Sequence, residues 1–276
     1  MAYMMYGKMQ RWVTRLLPLY LFTFLPSTLS AQIGEYRNEF AVGVNGGVAF
    51  SSIDFMPEVP QSKLFGKTGG ITLRYTGEKY FNSICAIVGE VNYTQMGWQE
   101  RIWDSEDQPV INDETGLAEE YKRVVDYIQV PVFARLGWGR ERRGFQFFFQ
   151  AGPQLGFYLN EKAEYNFDLD HPSWYYRTSH ISGPDIEQDG KIYKFSNMYH
   201  MPIENKLDYG IVAGFGLEFS RPKIGHFLIE GRFYYGLGNV YGSSKRDYFA
   251  KSDYQTIFVK ASYLFDVVKS KNPKIK

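Results

Sequence analysis

Three of the four histidines, His171, His180 and His200, fall between residues 161 and 205 together with Asp168, Asp170 and Asp185. Imidazoles and carboxylates in one segment are the donors that zinc or calcium takes, but the spacings match neither a compact zinc site nor a calcium loop. The tetrapeptide "DHPS", Asp170 to Ser173, places an acid, a base and a hydroxyl side by side. Spacing alone gives them no mutual geometry, so hydrolytic chemistry is not assigned to them. The chain is therefore expected to carry no catalytic residue, no metal and no cofactor. Beside these residues stand Trp174, Tyr175 and Tyr176. Tyr and Trp dominate interface hot spots, so the trio is a candidate interaction patch for a protein, glycan or lipid headgroup; packing on the rest of the fold is the competing reading.

A second chemical set is spread over the whole chain. Arg74, Glu90, Arg135, Glu218, Glu230, Arg232 and Lys260 each sit in a stretch where large apolar residues alternate with small or polar ones. In "YIQVPVFARLGWG", Ile128, Val130, Val132, Leu136 and Trp138 share one face of a strand; Tyr127, Gln129, Pro131, Phe133 and Arg135 share the other. Stretches at 40–50, 71–76, 87–94, 145–157, 208–219, 227–237 and 256–265 divide in the same way. The seven charges could line an ion path. Inside a narrow closed sheet they are expected instead to pair as a salt-bridge and hydrogen-bond network, with glycines between them leaving room.

The joins between these stretches alternate in length. "TGEKYFNS", "GRERRG" and "SRPKIGH" are short, and those near 52–66, 98–122, 161–205 and 240–253 are longer. This pattern predicts an all-β fold, an eight-stranded antiparallel up-and-down transmembrane β-barrel with short periplasmic turns and long extracellular loops. Alternation alone does not say which face is inside: a lipocalin-like soluble barrel turns its apolar face inward, a membrane barrel outward. The charged polar face, the loop asymmetry and the aromatics at both ends of the apolar face (Phe40 with Phe50, Tyr209 with Phe219) favour the membrane. About ten residues at ~3.3 Å each, tilted by ~40°, cover ~25 Å of bilayer. Pro131 has no N–H to give a ladder, which predicts a bulge or an inward irregularity there.

The N-terminus addresses the chain outward. Lys8, Arg11 and Arg15 precede "LLPLYLFTFL" and then "PSTLSAQ", the layout of a secretory signal peptide too short to span a bilayer as a helix. Cleavage is expected beside Ser30 or Ala31. The domains are then 1–31, a signal peptide, and 32–276, an outer-membrane β-barrel domain with a long extracellular loop at about 161–205 and a basic tail at 267–276. The formal charge of +1 falls to about −2 once three basic residues leave, which offers nucleic acid no electrostatic footprint. The single Cys85 allows no internal disulfide and is expected to face lipid. Aromatics make up 18% of the chain and there are 27 glycines, while the mean hydropathy of −0.34 leaves strands as the means of crossing a membrane.

"YIQVPVFARLGWG" followed by "FQFFFQAGPQLGFYL" resembles the paired-strand motif of the PorT-like outer-membrane β-barrel family, and "VGVNGGVAFS" and "GFGLEF" fit it as well. The resemblance implies an eight-stranded outer-membrane barrel in a family whose name-giving member is needed for protein secretion. It leaves the long insert and the tail "KSKNPKIK" unexplained. The expectation is a monomeric, non-enzymatic outer-membrane protein in contact with lipid, with a possible protein partner in secretion or envelope machinery, working through its extracellular loops. A small-solute or lipid transport barrel, a barrel enzyme and a soluble binder are the alternatives.

Overall fold

The computed structural model describes residues 35–56, 58–80, 83–102, 108–112, 115–140, 143–167, 186–188, 191–193, 201–242 and 249–268. Eight long strands carry the fold: β1 (Glu35–Met56), β3 (Leu64–Tyr80), β4 (Ser83–Arg101), β5 (Glu120–Gly139), β6 (Gly144–Tyr165), β9 (Leu207–Arg221), β10 (Gly225–Gly236) and β11 (Lys251–Val268). The short β2 (Gln61–Ser62) pairs with β4, and β7 (Ile186–Gln188) pairs with β8 (Lys191–Tyr193) as a separate hairpin. Each long strand lies antiparallel to its neighbour in the series, β1 pairs with β11, and β4 joins β5, so the strands form a ring. A ring leaves no open edge of unpaired N–H and C=O groups.

All eight alternating stretches of the sequence lie in these long strands, the seventh running one residue past the end of β10. Their bulky apolar positions point outward: Phe215 is 63% exposed and Val132 47%, while Arg135 and Glu230 on the opposite faces are each 4% exposed. The outward belt is edged by rings at both ends. Trp138 stacks on Phe147, and Phe145 meets Phe219, at the short-turn end; Tyr93, Tyr209 and Tyr235 stand at the long-loop end.

One expectation changes, and at Pro131 the second of two expected outcomes is found. β6 continues to Tyr165, so the first five residues of the expected loop 161–205 are strand, paired with β5 back to Tyr121. There the outward positions turn polar, with Lys122 bonded to Glu164, so the ring extends past the apolar belt. At Pro131 the ladder to β4 skips residues between Gly89–Val132 and Asn92–Gln129, yet the register on both sides is the same. A missing N–H removes bonds without inserting a residue, so Pro131 makes the expected inward irregularity rather than a bulge. The shift lies between Asp126 and Tyr127, which face Asn160 and Tyr158 and leave Leu159 as the extra residue.

Glycines sit where inward side chains need space. A Cβ on Gly214 would lie 2.7 Å from Cγ of Arg232, and one on Gly216 would lie 2.6 Å from the Phe148 ring. The tight turn from Arg221 to Ile224, closed by the Ile224 N–H to the Arg221 carbonyl at 3.1 Å, holds Lys223 at φ 69°. That left-handed conformation costs a non-glycine residue about 1–2 kcal/mol. Lys223→Gly is expected to raise the unfolding free energy by up to about 1 kcal/mol, after the entropy glycine loses is set against it; urea unfolding of the two proteins checks the sign.

Candidate functional site

The inward faces assemble the seven predicted charges into two clusters. Glu218 on β9 accepts from Arg74 Nη1 on β3 at 2.8 Å, from Arg135 Nη2 on β5, and from Ser220 Oγ at 3.1 Å. The Arg135 guanidinium carbon lies over the Phe148 ring, 3.7 Å from its centre. Closer to the middle of the ring, Glu90 on β4 takes a two-pronged contact from Arg232 on β10 at 2.8 and 2.6 Å, and a third from Lys260 on β11 at 2.9 Å. Asn92 at 2.8 Å and Thr72 at 3.3 Å complete its shell. Arg232 also meets Glu230 at 2.5 Å, and Gln150 donates to Glu230 at 2.8 Å. Strand alternation explains the convergence, since inward residues two apart on neighbouring strands stack along the axis. The second cluster balances two acids with two bases, so it is electrically closed.

The fourth histidine was missed in the sequence. His226 sits at the short-turn end with Nδ1 2.6 Å from Glu218 and Nε2 2.9 Å from Asp266, and Ser220 Oγ lies 2.7 Å from Nδ1. The set has the residue types of a hydrolytic triad. Ser220 is only 1% exposed and already donates to Glu218, so no substrate carbonyl reaches it, and the group reads as an extension of the first cluster. The signal available in the sequence was the turn "SRPKIGH", which brings Ser220 and His226 together across two paired strands.

Toward the long-loop end, tyrosines and then larger aromatics replace the charges. Tyr127, Tyr234 and Tyr254 are fully buried, and the Tyr234 hydroxyl donates to Asp208 at 2.7 Å. Above them Phe55, Trp98, Tyr121, Tyr241 and Phe249 close the interior; Phe55 is 4.5 Å from Phe249 and 5.4 Å from Trp98 between ring centres. Arg123 pairs with Glu161 at 3.0 Å, donates to the Tyr241 hydroxyl at 2.8 Å and lies 5.7 Å over Trp98. In this part, beyond the apolar belt, burial pushes the Tyr121 phenol up to about 12 and that of Tyr241 higher still, so both act as neutral hydrogen-bonding groups. Among the described residues no cluster of three or more histidine, cysteine or acidic side chains could hold a metal ion.

The candidate patch Trp174, Tyr175 and Tyr176 lies outside the described residues, as do His171, His180, His200, Asp168, Asp170 and Asp185. The neighbouring segment that is described forms a built platform. Asn166 donates to the Ala118 carbonyl at 2.7 Å and accepts from the Glu120 N–H at 2.8 Å, tying the loop before β5 to the end of β6. Ile111 and Leu117 at this end are exposed.

Comparison with known proteins adds a family. The sequence profile described as "Outer membrane protein beta-barrel domain" matches residues 30–242. The match is to the broader family and does not single out PorT-like members. No curated protein matches the chain. Similar solved structures include Neisserial surface protein A, with 10% identity over 82% of this chain and 95% of that one at a TM-score of 0.38. Others are the attachment invasion locus protein Ail of Yersinia pestis in complex with sucrose octasulfate (15%, 84% and 99%, TM-score 0.33) and OprG from Pseudomonas aeruginosa (10%, 84% and 98%, TM-score 0.35).

Proposed function

We propose that this chain, which belongs to the family of outer membrane protein beta-barrel domains, is a closed, eight-stranded envelope barrel that acts as a binding or assembly component through its long-loop end. In this reading the turns at 81–82, 140–143 and 222–224 face the periplasm, and the loops between the other strand ends face outward from the cell. One observation carries it. The interior is filled at successive levels by Glu218 with Arg74 and Arg135, by Glu90 with Arg232 and Lys260, by buried tyrosines, and by the aromatic group around Trp98. An eight-stranded interior is just wide enough for side chains. Among the described residues solutes therefore have no water-filled route, and the surface left for function is the loop end, with Trp174 to Tyr176 as the interaction patch. The outward apolar face is the reverse of what a soluble ligand-binding barrel presents, and Ser220 is too enclosed for hydrolysis. A role in secretion, as implied by the PorT-like resemblance, would be one form of such assembly work.

Purified protein reconstituted in planar bilayers is expected to give no stepwise conductance above that of lipid alone, and sugar-loaded vesicles containing it should not swell. Stable conductance steps from the folded, heat-modifiable form would sink the closed-barrel reading.

A further inference from the structure

Two of the short turns carry basic residues just past the aromatic rim of the outward belt. Arg221 stands two residues after Phe219 on β9, and side chains two apart on a strand share a face, so it continues the outward face of β9. Arg143 and Arg140 flank Phe145 and Trp138 at the same spacing. All three are exposed, as is Lys223 in the turn after β9. The ladder makes the two turns neighbours, since Gly144 at the start of β6 pairs with Ser220 near the end of β9. Arg140 leans across its own hairpin toward β6: its N–H donates to the Phe145 carbonyl at 3.0 Å, and a Cβ on Gly144 would lie 3.1 Å from its Cδ.

Charge is unbalanced here. The sequences "RERR" at 140–143 and "RPKI" at 221–224 set five basic residues against the single acid Glu141. None of Arg140, Arg143, Arg221 and Lys223 is in an ion pair with a described residue. The third short turn differs, since Glu78 and Lys79 beside it carry one charge of each sign. Next to the basic edge lies an apolar surface. Phe145 meets Phe219 at 5.0 Å and Trp138 stacks on Phe147 at 6.2 Å between ring centres, and all four rings are exposed. Aromatics of a membrane belt sit at the level of the lipid headgroups, so arginines one step further out lie where lipid phosphates lie.

We propose that these two neighbouring turns hold an anionic phospholipid, its phosphate against Arg140, Arg143 and Arg221 and its acyl chains along the aromatic surface beside them. A guanidinium pairs with phosphate oxygens through two parallel hydrogen bonds, which suits this group to the arginines. A soluble anion would use the charges and leave the rings bare, whereas a lipid uses both. A zwitterionic headgroup brings its own cation to a basic edge, so the surface selects lipids of net negative charge. In the topology proposed above, the lipid belongs to the periplasmic leaflet. The inference rests on the lipid-facing reading of the outward belt, and Trp138 reports on both.

The test places the folded full-length protein in phosphatidylcholine vesicles containing a minor fraction of one brominated lipid, either phosphatidylglycerol or phosphatidylcholine. The signal is the quenching of Trp138, isolated from the other tryptophans by subtracting the emission of Trp138→Phe. Brominated phosphatidylglycerol is expected to associate at least about fivefold more strongly than brominated phosphatidylcholine, the factor that a single basic residue adds at an anionic surface. Arg143→Gln, Arg221→Gln should bring the ratio toward one, and Arg143→Lys, Arg221→Lys should retain most of it. These positions are exposed, where substitution rarely disturbs folding; Arg140→Gln, Lys223→Gln is the second pair and should lower the ratio in the same way. Equal quenching by the two lipids overturns the headgroup site, as does a preference that both glutamine pairs leave unchanged. A preference abolished by inorganic phosphate at constant ionic strength also overturns it, because the turns would then hold a free anion. No quenching of Trp138 by either lipid would instead overturn the lipid-facing belt, and the inference with it.

Discussion

Glu90→Gln is expected to destabilise the folded barrel by about 3–5 kcal/mol, the range for removing one member of a buried ion pair. Glu90 is the acceptor for Arg232 at 2.8 and 2.6 Å and for Lys260 at 2.9 Å. Glutamine has nearly the same shape, so packing is retained and the loss is electrostatic. Lys260, 3% exposed, loses its 2.9 Å acceptor, and Glu230, directly across the ladder from it, is left as the one acid of the cluster for both Lys260 and Arg232. A second substitution separates this cause from general disruption. In Glu90→Gln, Lys260→Met the cluster is again balanced, with Arg232 against Glu230, and most of the lost stability should return. The interaction energy from the double-mutant cycle is the quantity of interest, since the two residues are in contact. Urea midpoints of the four proteins, with the heat-modifiable band on gels as the check of folding, give it. A Glu90→Gln protein within about 1 kcal/mol of the unsubstituted one would mean that water reaches the cluster and that the interior is not dry.

Much of this interior can be read in the sequence because strand alternation sorts residues with no knowledge of tertiary structure. Arg74, Glu90, Arg135, Glu218, Glu230, Arg232 and Lys260 all fall on the small, polar faces, and all are buried. Which charge meets which cannot be read, because partners such as Arg74 and Glu218 are far apart in the chain and on strands that do not pair; ring closure and stagger bring them together. His226 is a different case: its neighbours Glu218 and Asp266 lie on the two strands that pair with its own, and the short turn before it already places it across from Ser220.

The aromatic interior near Trp98 was invisible for a different reason. Val240, Tyr241 and Phe249 lie between β10 and β11 and fold into the ring, while Phe55, Trp98 and Tyr121 are inward positions beyond the apolar belt. There the outward residues are polar and the inward ones apolar, so the sense of alternation is inverted relative to the belt. Read as a membrane strand, that segment looks like a loop; the reversal marks the level at which lipid gives way to water, and the strands simply continue. The assignment of 161–165 to a loop failed at the same level. Pro131 shows the converse case, a local argument that holds: of the two expected outcomes, a bulge or an inward irregularity, the lost N–H gives the second, skipped bonds in the ladder with no residue inserted.

Phe215→Arg should cost about 2–4 kcal/mol when the protein is folded into a lipid bilayer, whereas Leu207→Arg, eight residues along the same face of β9, should cost about 0–1 kcal/mol, because the penalty for arginine on the lipid face depends on depth. Phe215 is 63% exposed and paired with Phe149 and Gly231 in the middle of the outward belt; Leu207 is 48% exposed at the long-loop end, before Tyr209 in the rim. In water the order would disappear. An exposed Phe gains nothing from contact with solvent, and surface substitutions away from special features usually stay within about 0.5 kcal/mol. Unfolding midpoints in vesicles of short-chain phosphatidylcholine therefore distinguish a lipid-facing belt from a merely exposed one. Similar penalties at the two positions would mean that the belt is not spanning the bilayer at this register, and the periplasmic and extracellular assignments of the turns and loops would fall with it. The expected gradient ties the outward alternation, the aromatic rims and the polar extension beyond them to one cause, a hydrocarbon layer that ends near Tyr209.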